Sequence, residues 1–266
     1  MERGHESLTC RARRLITGLI PSHVRFERAG RRFLIDGEAE VHELPTLVEP
    51  GTVAIDVGAL MGDYSYSLCK LVGPKGRVIA IEPQAEYARL LRAAALRLRL
   101  PMTVLECALS SREGVAELCV PVVGGRKKSG YASLDHGSAT ARKSRVNLRR
   151  LDEVAAEVEG RISFLKVDVE GHELDVLKGG SETLKRHRPN LLIEIEQRHS
   201  PVPIAETFKF LREHDYTGHY LDQGARVPLA QFDPAANAEL AGAGGPFEPN
   251  LPGYLFNFIF VPIPSK

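Results

Sequence analysis

The sequence predicts an α/β fold with a mostly parallel sheet, and two observations support this. From residue 53 onward, short apolar runs typical of buried strands alternate with segments of helical periodicity. Such alternation implies right-handed crossovers between parallel strands. The chain then ends in the β-rich run 255–262, and no helical segment separates that run from the strand candidate 216–222. The last two strands are therefore expected to pair antiparallel.

The individual elements follow from the same patterns. Strands are predicted at 53–57, 77–83, 103–110, 161–170 and 190–197, with an additional strand at 115–121. Helices are predicted at 62–72, 84–100, 172–180 and 203–215. The less regular segments are predicted as a short strand at 31–36, a short helix or turn at 42–51, and loops at 122–145 and 222–253.

Length and composition describe an ordinary globular protein. The 266 residues are 43% hydrophobic and 26% charged, which fits one large domain with a small extension. We place the main domain at 46–266, with an inserted basic loop at 122–150, and an N-terminal extension at 1–45. The formal net charge of +1 does not imply a nucleic-acid partner.

The cysteines and the apolar runs favour a cytoplasmic protein. Cys10, Cys69, Cys107 and Cys119 lack metal-ligand spacing and are expected to be reduced thiols. No apolar run approaches the roughly 20 residues that a bilayer-spanning helix needs. The Arg-rich start lacks a convincing secretory apolar region and a cleavage site. We therefore expect a cytoplasmic location and no membrane span.

The first predicted strand runs into a glycine-containing turn, VAIDVGALMGDYS. In an open parallel sheet, ligands bind outside the carboxyl ends of the strands. Gly58 permits a tight turn there, and Gly62 lets a ligand approach the start of the following helix. The motif lacks the third glycine of a dinucleotide-binding fingerprint, because position 60 is Leu. This argues against a dinucleotide pyrophosphate.

Glu82 ends the second predicted strand. A carboxylate at that position accepts hydrogen bonds from the hydroxyls of a ribose. An adenosine ligand without a pyrophosphate, carrying a positive centre that tolerates the nearby Asp56, fits these observations. S-adenosylmethionine is such a ligand. The alternative is an ordinary packed βα turn in which Asp56 and Glu82 are strand-end acids.

The sequence resembles the FkbM-type family of class I, S-adenosylmethionine-dependent methyltransferases. The resemblance rests on AIDVGALMGDYS, RVIAIEP, LKVDVEGHELDVLKGG, LLIEIE and NFIFVP, in that order, and KVDVEGHE is the specific block. The family has Asn at the position of Leu60. The resemblance implies a Rossmann-like, seven-stranded, mostly parallel sheet with an antiparallel C-terminal strand and helices on both faces. It also implies O-methylation of a sugar or small secondary metabolite.

The resemblance further implies a cofactor site of three parts. The methionine part would lie among residues of the first turn and helix start, which are Asp56, Gly58, Ala59, Gly62, Tyr64 and Ser65. The adenosine part would lie beside residues that end the next two strands, which are Glu82, Pro83, Glu106, Cys107 and Ala108. Asp168 would close the pocket beside the reacting methyl group.

A hydroxyl acceptor must lose its proton, so a general base is expected near the methyl group. The candidates are Asp168, Glu170 and His172 in the KVDVEGHE block, and Glu194 at the end of the neighbouring strand. Strand alternation would direct residues 166, 168 and 170 to the ligand, and Val167 and Val169 to the core. His172 is equally compatible with a surface position, and Glu173 with a first-turn acid of the next helix.

Other histidines, such as His42, His136 and His199, are expected at the surface, with His136 closest to the acceptor side. Mg²⁺ on Asp168, Glu170 and Glu194 is an alternative that is not favoured.

The basic stretch 126–150 is either a solvated loop or a lid over an anionic acceptor. An RNA methyltransferase, a non-catalytic S-adenosylmethionine-binding protein and a homodimer stay open, but nucleic acid is not the favoured partner because aromatic residues are scarce in the basic stretch.

Overall fold

The computed structural model describes residues 21–134, 141–200, 202–243 and 253–264 of the chain. The first seven strands are β1 (Val53–Val57), β2 (Arg77–Ile81), β3 (Met102–Leu105), β4 (Ala108–Leu109), β5 (Gly114–Val120), β6 (Val122–Val123) and β7 (Arg126–Lys127). The next six are β8 (Arg142–Arg149), β9 (Ile162–Val167), β10 (Asn190–Glu194), β11 (Tyr216–Asp222), β12 (Ala225–Pro228) and β13 (Asn257–Pro262).

The helices lie between these strands and before the first of them. They are α1 (Ser22–Asp36), α2 (Leu44–Leu47), α3 (Asp63–Val72), α4 (Ala85–Leu98), α5 (Leu151–Ala156), α6 (Glu173–Lys178), α7 (Ser181–His187), α8 (Ile204–Glu213) and α9 (Pro234–Ala243). Among the described residues, none of these helices combines the length and apolarity needed to cross a bilayer.

The main sheet has eight strands in the order β12-β11-β13-β10-β9-β1-β2-β3. The five strands from β10 to β3 pair in parallel, and β13 pairs antiparallel with both β10 and β11. The predicted parallel sheet and its antiparallel end are therefore confirmed. The eighth strand is β12, which forms a hairpin with β11 inside a segment predicted as loop.

Apolar layers cover both faces of the sheet, as the resemblance implied. Along β1, Val53, Ile55 and Val57 face one layer, together with residues of α6, α7 and α8. Ala54 faces the other layer, where α3 and α2 pack. Strands that are covered on both faces need a continuous apolar sequence, and the parallel strands therefore occur in the sequence as short apolar runs.

The short strand predicted at 31–36 is wrong, because these residues are the end of α1. Phe26, Gly30 and Phe33 recur at helical spacing, and the helix packs this face against α3 and α4. A Cβ at Gly30 would lie 2.4 Å from the ring of Tyr66, so glycine allows the close approach. The short helix predicted at 42–51 is confirmed by α2.

The predicted third strand, 103–110, is divided between two sheets. Strand β3 ends at Leu105, and β4 joins a second sheet of order β4-β8-β5. The predicted loop at 122–145 is also wrong in part, because Arg142–Arg149 forms β8 against β5. Val146 and Leu148 alternate with exposed residues and are buried with Leu118, which is the period-two pattern that the basic composition obscured.

Helix α9 and strand β12 likewise occupy part of the loop predicted at 222–253. Residues 244–252 of that segment, residues 1–20 of the predicted extension, and His136 lie outside the described part of the chain.

We predict that Gly58→Ala destabilises the fold more than Gly51→Ala. Both glycines have positive φ, +84° and +79°, so both substitutions strain the backbone. A Cβ at Gly58 would also lie 1.8 Å from the carbonyl oxygen of Asp168, whereas nothing lies within 4 Å of one at Gly51. We expect about 1 kcal/mol lost for Gly51→Ala and about 3 kcal/mol for Gly58→Ala, measured by urea denaturation. Equal losses in the free energy of unfolding for the two variants would contradict the close approach of the Gly58 backbone to the Asp168 carbonyl.

Candidate active site

A pocket lies at the carboxyl ends of β1, β2 and β9. The walls include Gly58, Glu82 and Asp168 from these strand ends, and Cys107 and Ala108 beyond β3. The segment 129–134 of the basic insertion covers the opposite side through Ser129, Gly130, Ala132 and Leu134. Of the residues predicted for cofactor or catalysis, the pocket brings together Gly58, Glu82, Pro83, Cys107, Ala108, Asp168, Glu170 and His172.

The turn after β1 is held by unusual backbone conformations. Gly58 and Leu60 both have positive φ, at +84° and +44°. For Leu this is the left-handed region, where Asn is the more favourable non-glycine residue, and Asn is the residue that the family pattern has there. The N–H of Leu60 donates to Oε2 of Glu82 at 2.8 Å, which ties the first turn to the end of β2. The backbone of this turn therefore provides the contact, whatever the side chain at position 60.

Glu82 is buried at the end of β2. Its Oε1 accepts a hydrogen bond from the N–H of Gln84 at 2.7 Å, and its Oε2 accepts the one from Leu60. Burial raises the pKa of Glu82 to about 7, although both backbone hydrogen bonds act in the opposite direction. Each carboxylate oxygen has a second lone pair, so two further hydrogen bonds can be accepted from the pocket.

Asp56 and Ser65 lie behind the pocket wall. The Oγ of Ser65 donates to Oδ2 of Asp56 at 2.5 Å, and both side chains are buried. Burial raises the pKa of Asp56, while the charge of Lys166 acts to lower it. This hydrogen bond links β1 to α3 across the first turn. Neither Asp56 nor Ser65 lines the pocket.

Three other predicted cofactor residues have structural contacts of their own. Tyr64 donates its hydroxyl to Oε2 of Glu38 at 2.7 Å and packs edge-on against Phe33. A Cβ at Gly62 would lie 2.4 Å from Leu91, so this glycine allows α3 and α4 to pack closely. Ala59 is buried in the same helical layer. Contact of these residues with a cofactor stays a prediction.

The two sides of the predicted adenine site differ. Cys107 and Ala108 line the pocket together with Leu118 and Leu134 of the insertion, so this end is apolar. Burial raises the pKa of the Cys107 thiol to about 11, so the thiol is protonated at neutral pH. The Glu106 carboxylate is 39% exposed and pairs with Nη1 of Arg92 at 2.8 Å. Its side chain is not among the pocket-lining residues.

Asp168, Glu170 and Glu194 bring carboxylate oxygens within 4.8 Å of one another. Lys166 donates to Oδ2 of Asp168 at 2.9 Å, and Nδ1 of His199 lies 2.5 Å from Oε2 of Glu170. Burial raises the pKa of Glu170 to about 7, and burial with the charge of Asp168 raises that of Glu194 well above its ordinary value. A dication would have to displace Lys166 from Asp168 and His199 from Glu170, which keeps Mg²⁺ the less favoured interpretation.

The strand alternation expected through residue 170 ends earlier. Strand β9 stops at Val167, and Glu170 and Gly171 follow in left-handed conformation, with φ of +54° and +98°. Val169, which was expected in the core, is half-buried, and it both packs against the main apolar cluster and lines the pocket. The pattern placed the end of this strand three residues too late, because period-two alternation holds only while the backbone is extended.

His172 is buried rather than at the surface. Its Nε2 lies 3.0 Å from Oγ of Ser110, and the ring borders the pocket. Glu173 begins α6 and accepts the N–H of Gly171 at 2.9 Å, as expected for a first-turn acid. Burial raises the pKa of Glu173 to about 7.

His199, which the sequence analysis expected at the surface, is largely buried beside a residue that lines the pocket. Its side chain is 17% exposed and pairs with Glu170, and its ring meets Tyr131 edge-on at a centroid distance of 5.8 Å. The partners Tyr131 and Glu170 lie 68 and 29 residues earlier in the chain, so no local pattern connects them. A lone histidine after a strand has no distinguishing signal in a single sequence.

The insertion is anchored on both sides of the pocket. Gln84 donates through Nε2 to the carbonyl of Ser129 at 3.1 Å, and Lys127 pairs with Glu86 at 3.1 Å. On the far side, Oγ of Ser133 donates to the carbonyl of Glu170 at 2.9 Å. Residues 129–134 of the insertion therefore cover the same pocket that the strand ends form, and their role as a lid over an acceptor stays a prediction.

Comparison with known proteins identifies the family. The methyltransferase FkbM domain profile matches residues 56–217. The methyltransferase sdnD of Sordaria araneosa is 33% identical over 168 residues, which are 53% of this chain and 64% of that protein, so the chain spans less than two thirds of its relative.

Similar solved structures include two further methyltransferases and a fibrillarin. Methyltransferase FkbM of Methylobacillus flagellatus has a TM-score of 0.48 at 18% identity, over 91% of this chain and 55% of that one. A SAM-dependent O-methyltransferase of Thermotoga maritima has a TM-score of 0.47 at 15% identity, over 93% and 74%. Aeropyrum pernix fibrillarin with bound S-adenosyl-L-methionine has a TM-score of 0.42 at 13% identity, over 81% and 68%. On the profile match, the chain belongs to the FkbM family of S-adenosylmethionine-dependent methyltransferases.

Proposed function

We propose that the chain transfers the methyl group of S-adenosylmethionine to a hydroxyl of a sugar or small secondary metabolite. The observation that carries the proposal is the pocket at the strand ends, where Glu82 lies beside an apolar wall and Asp168 beside further acids. In this proposal Glu82 accepts the ribose hydroxyls and the apolar wall holds the adenine. The acidic end then receives the positive sulfonium, which is attracted by carboxylates.

The protein needs to contribute little covalent chemistry to the reaction, because the sulfonium supplies an activated methyl group and a neutral leaving group. The residues of the chain must hold the acceptor oxygen in line with the S–CH₃ bond and exclude water. The segment 129–134 supports the second task by covering the pocket. We assign alignment of the acceptor to Asp168, with Glu170, His172 and Glu194 as the neighbouring candidates for proton transfer.

The basic insertion supports an anionic acceptor such as a phosphate-bearing or nucleotide-linked sugar. Within the described part of the chain, Arg126, Lys128, Arg142 and Arg145 have no ion pair, whereas Lys127, Lys143 and Arg149 pair with Glu86, Glu117 and Glu157. Partial neutralisation leaves less charge for a long polyanion, so RNA is the second candidate. We also propose that residues 46–266 form the catalytic domain and that residues 1–45 are its extension.

We predict that Glu82→Gln weakens S-adenosylmethionine binding about tenfold, because a hydrogen bond to a charged acceptor contributes about 1.5–3 kcal/mol. Isothermal titration calorimetry measures the change. Glu182→Gln is the matched control, since Glu182 is an exposed residue of α7 paired with Lys185, and it should bind as the wild type does. Unchanged affinity in Glu82→Gln would remove the ribose assignment.

Cofactor affinity should also depend on pH through Glu82. Since its pKa is raised to about 7, the carboxylate becomes protonated in the free protein as the pH falls through that value. The protonated group is a weaker acceptor, so we expect the dissociation constant to rise between about pH 8 and about pH 6. The part of this rise that is due to Glu82 should be absent in Glu82→Gln. Parallel pH profiles for the two proteins would refute the prediction.

The activity itself is tested with S-adenosylmethionine and four acceptors: methyl glucoside, glucose phosphate, uridine-diphosphate glucose and an RNA oligomer. We expect S-adenosylhomocysteine and a methylated sugar by mass spectrometry, with the phosphate-bearing sugars preferred. Asp168→Asn should bind the cofactor but lose at least about 100-fold in turnover, because it disturbs alignment of the reactants. Methylation of RNA alone would favour the second candidate, and cofactor binding without any methylation would favour a non-catalytic protein.

A further inference from the structure

His199 lies in the turn that follows β10, between two parts of the proposed acceptor side. Its Nδ1 is 2.5 Å from Oε2 of Glu170, and both side chains are largely buried, at 17% and 12% exposed. Glu170 lines the pocket. On the other side, Tyr131 meets the imidazole edge-on, and its chain neighbours Gly130 and Ala132 also line the pocket. The imidazole is therefore held between Glu170 of the pocket wall and Tyr131 of the insertion, and neither His199 nor Tyr131 is itself among the lining residues.

The backbone fixes this position on both sides of the pair. The N–H of His199 donates to the carbonyl of Glu196 at 3.1 Å, which forms the turn after β10. A Cβ at Gly171 would lie 1.9 Å from the carbonyl oxygen of His199, so only glycine there lets the two turns meet. The geometry of the Glu170–His199 pair thus depends on the close approach of two backbone segments as well as on the side chains themselves.

The hydrogen bond to Glu170 also decides which nitrogen is available. A carboxylate accepts, so Nδ1 carries the proton, and Nε2 of the neutral imidazole keeps its lone pair. This is the orientation by which a carboxylate prepares a histidine for proton abstraction. His172, the histidine that lines the pocket, has its Nε2 within hydrogen-bond distance of Oγ of Ser110 instead.

We propose that His199 is the general base of the methyl transfer and that Glu170 is its positioning residue. The inference rests on the proposed function, since it concerns the proton of a hydroxyl acceptor. The Nε2 lone pair takes the hydroxyl proton and forms an N–H bond. An oxygen lone pair forms the O–CH₃ bond while the C–S bond breaks, and that electron pair stays on sulfur. The proton then passes from His199 to solvent, and charge is balanced.

The charged neighbours favour a base that works above its ordinary range. Burial acts to lower the pKa of His199, but the hydrogen bond and charge of Glu170 outweigh it, so the pKa is raised. Glu196 acts in the same direction and Arg198 in the opposite one. Asp168 adds a further negative charge near Glu170, and Tyr131 meets the imidazole ring edge-on.

The pair is first tested without any acceptor, by long-range ¹H–¹⁵N NMR on protein with labelled histidine and bound S-adenosylhomocysteine. The His199 signals are identified as those lost in His199→Gln. We expect the neutral ring to carry its proton on Nδ1, and Glu170→Gln to lower its pKa. His42→Gln is the matched control, because His42 is exposed on the turn before α2, and it should leave those signals in place. A proton on Nε2, or a pKa unmoved by Glu170→Gln, would overturn the proposal.

Turnover provides the second test, with whichever of the four acceptors named above is methylated. His199→Gln should lower kcat by about 100-fold or more and leave the cofactor dissociation constant within about twofold. Glu170→Gln should move the acid limb of the pH–rate profile to lower pH. A loss in kcat below about threefold in His199→Gln would exclude the base role. Failure of the wild type to bind the cofactor would instead refute the proposed function. If none of the four acceptors is methylated, the NMR measurement alone decides whether the proposal for His199 and Glu170 stands.

Discussion

The pocket depends on the close approach of the turns that follow β1 and β9. The N–H of Asp168 donates to the carbonyl of Val57, and the N–H of Gly58 donates to the carbonyl of Ile81, each at 3.0 Å. These bonds continue the hydrogen-bond ladder of the sheet beyond the last strand residues. They hold the ends of β9, β1 and β2 side by side. The bare backbone of Gly58 beneath the Asp168 carbonyl is what makes this continuation sterically possible. Glu82 and Asp168 face the same pocket as a consequence.

Burial of acids is the second constraint on the site. Asp56, Glu82, Glu170 and Glu194 all have raised pKa values, and burial is the first cause in each case. Lys166 is the buried cation among them. Burial acts to lower its pKa, but the charges of Asp168, Asp56 and Glu194 outweigh that effect and raise it. A site with this surplus of acids suits a cationic ligand, because ionisation of the carboxyls becomes more favourable when a positive charge is bound.

The insertion connects cofactor binding with the acceptor side under the proposed function. Its segment 129–134 contacts the turn after β2 through Gln84 and the turn after β9 through Glu170. Strands β5 and β8 hold the two ends of the insertion together as an antiparallel ladder. The segment over the pocket is thus attached to a small sheet of its own through the Cys119–Ser133 bridge, and Tyr131 in that segment meets His199 edge-on.

Local sequence determined the fold class, the parallel core strands, the turn at Gly58 and the strand-end acid Glu82. Each of these is encoded within a few neighbouring residues, as an apolar run, a glycine or a carboxylate at a strand end. Tertiary structure alone decided the pairing of Glu170 with His199, the place of Val169 at the pocket wall, and the position of residues 129–134 over the pocket. These features depend on contacts between residues far apart in the chain, such as Ser133 with Glu170 and Tyr131 with His199. Periodicity describes how one element repeats and does not determine which distant element it meets.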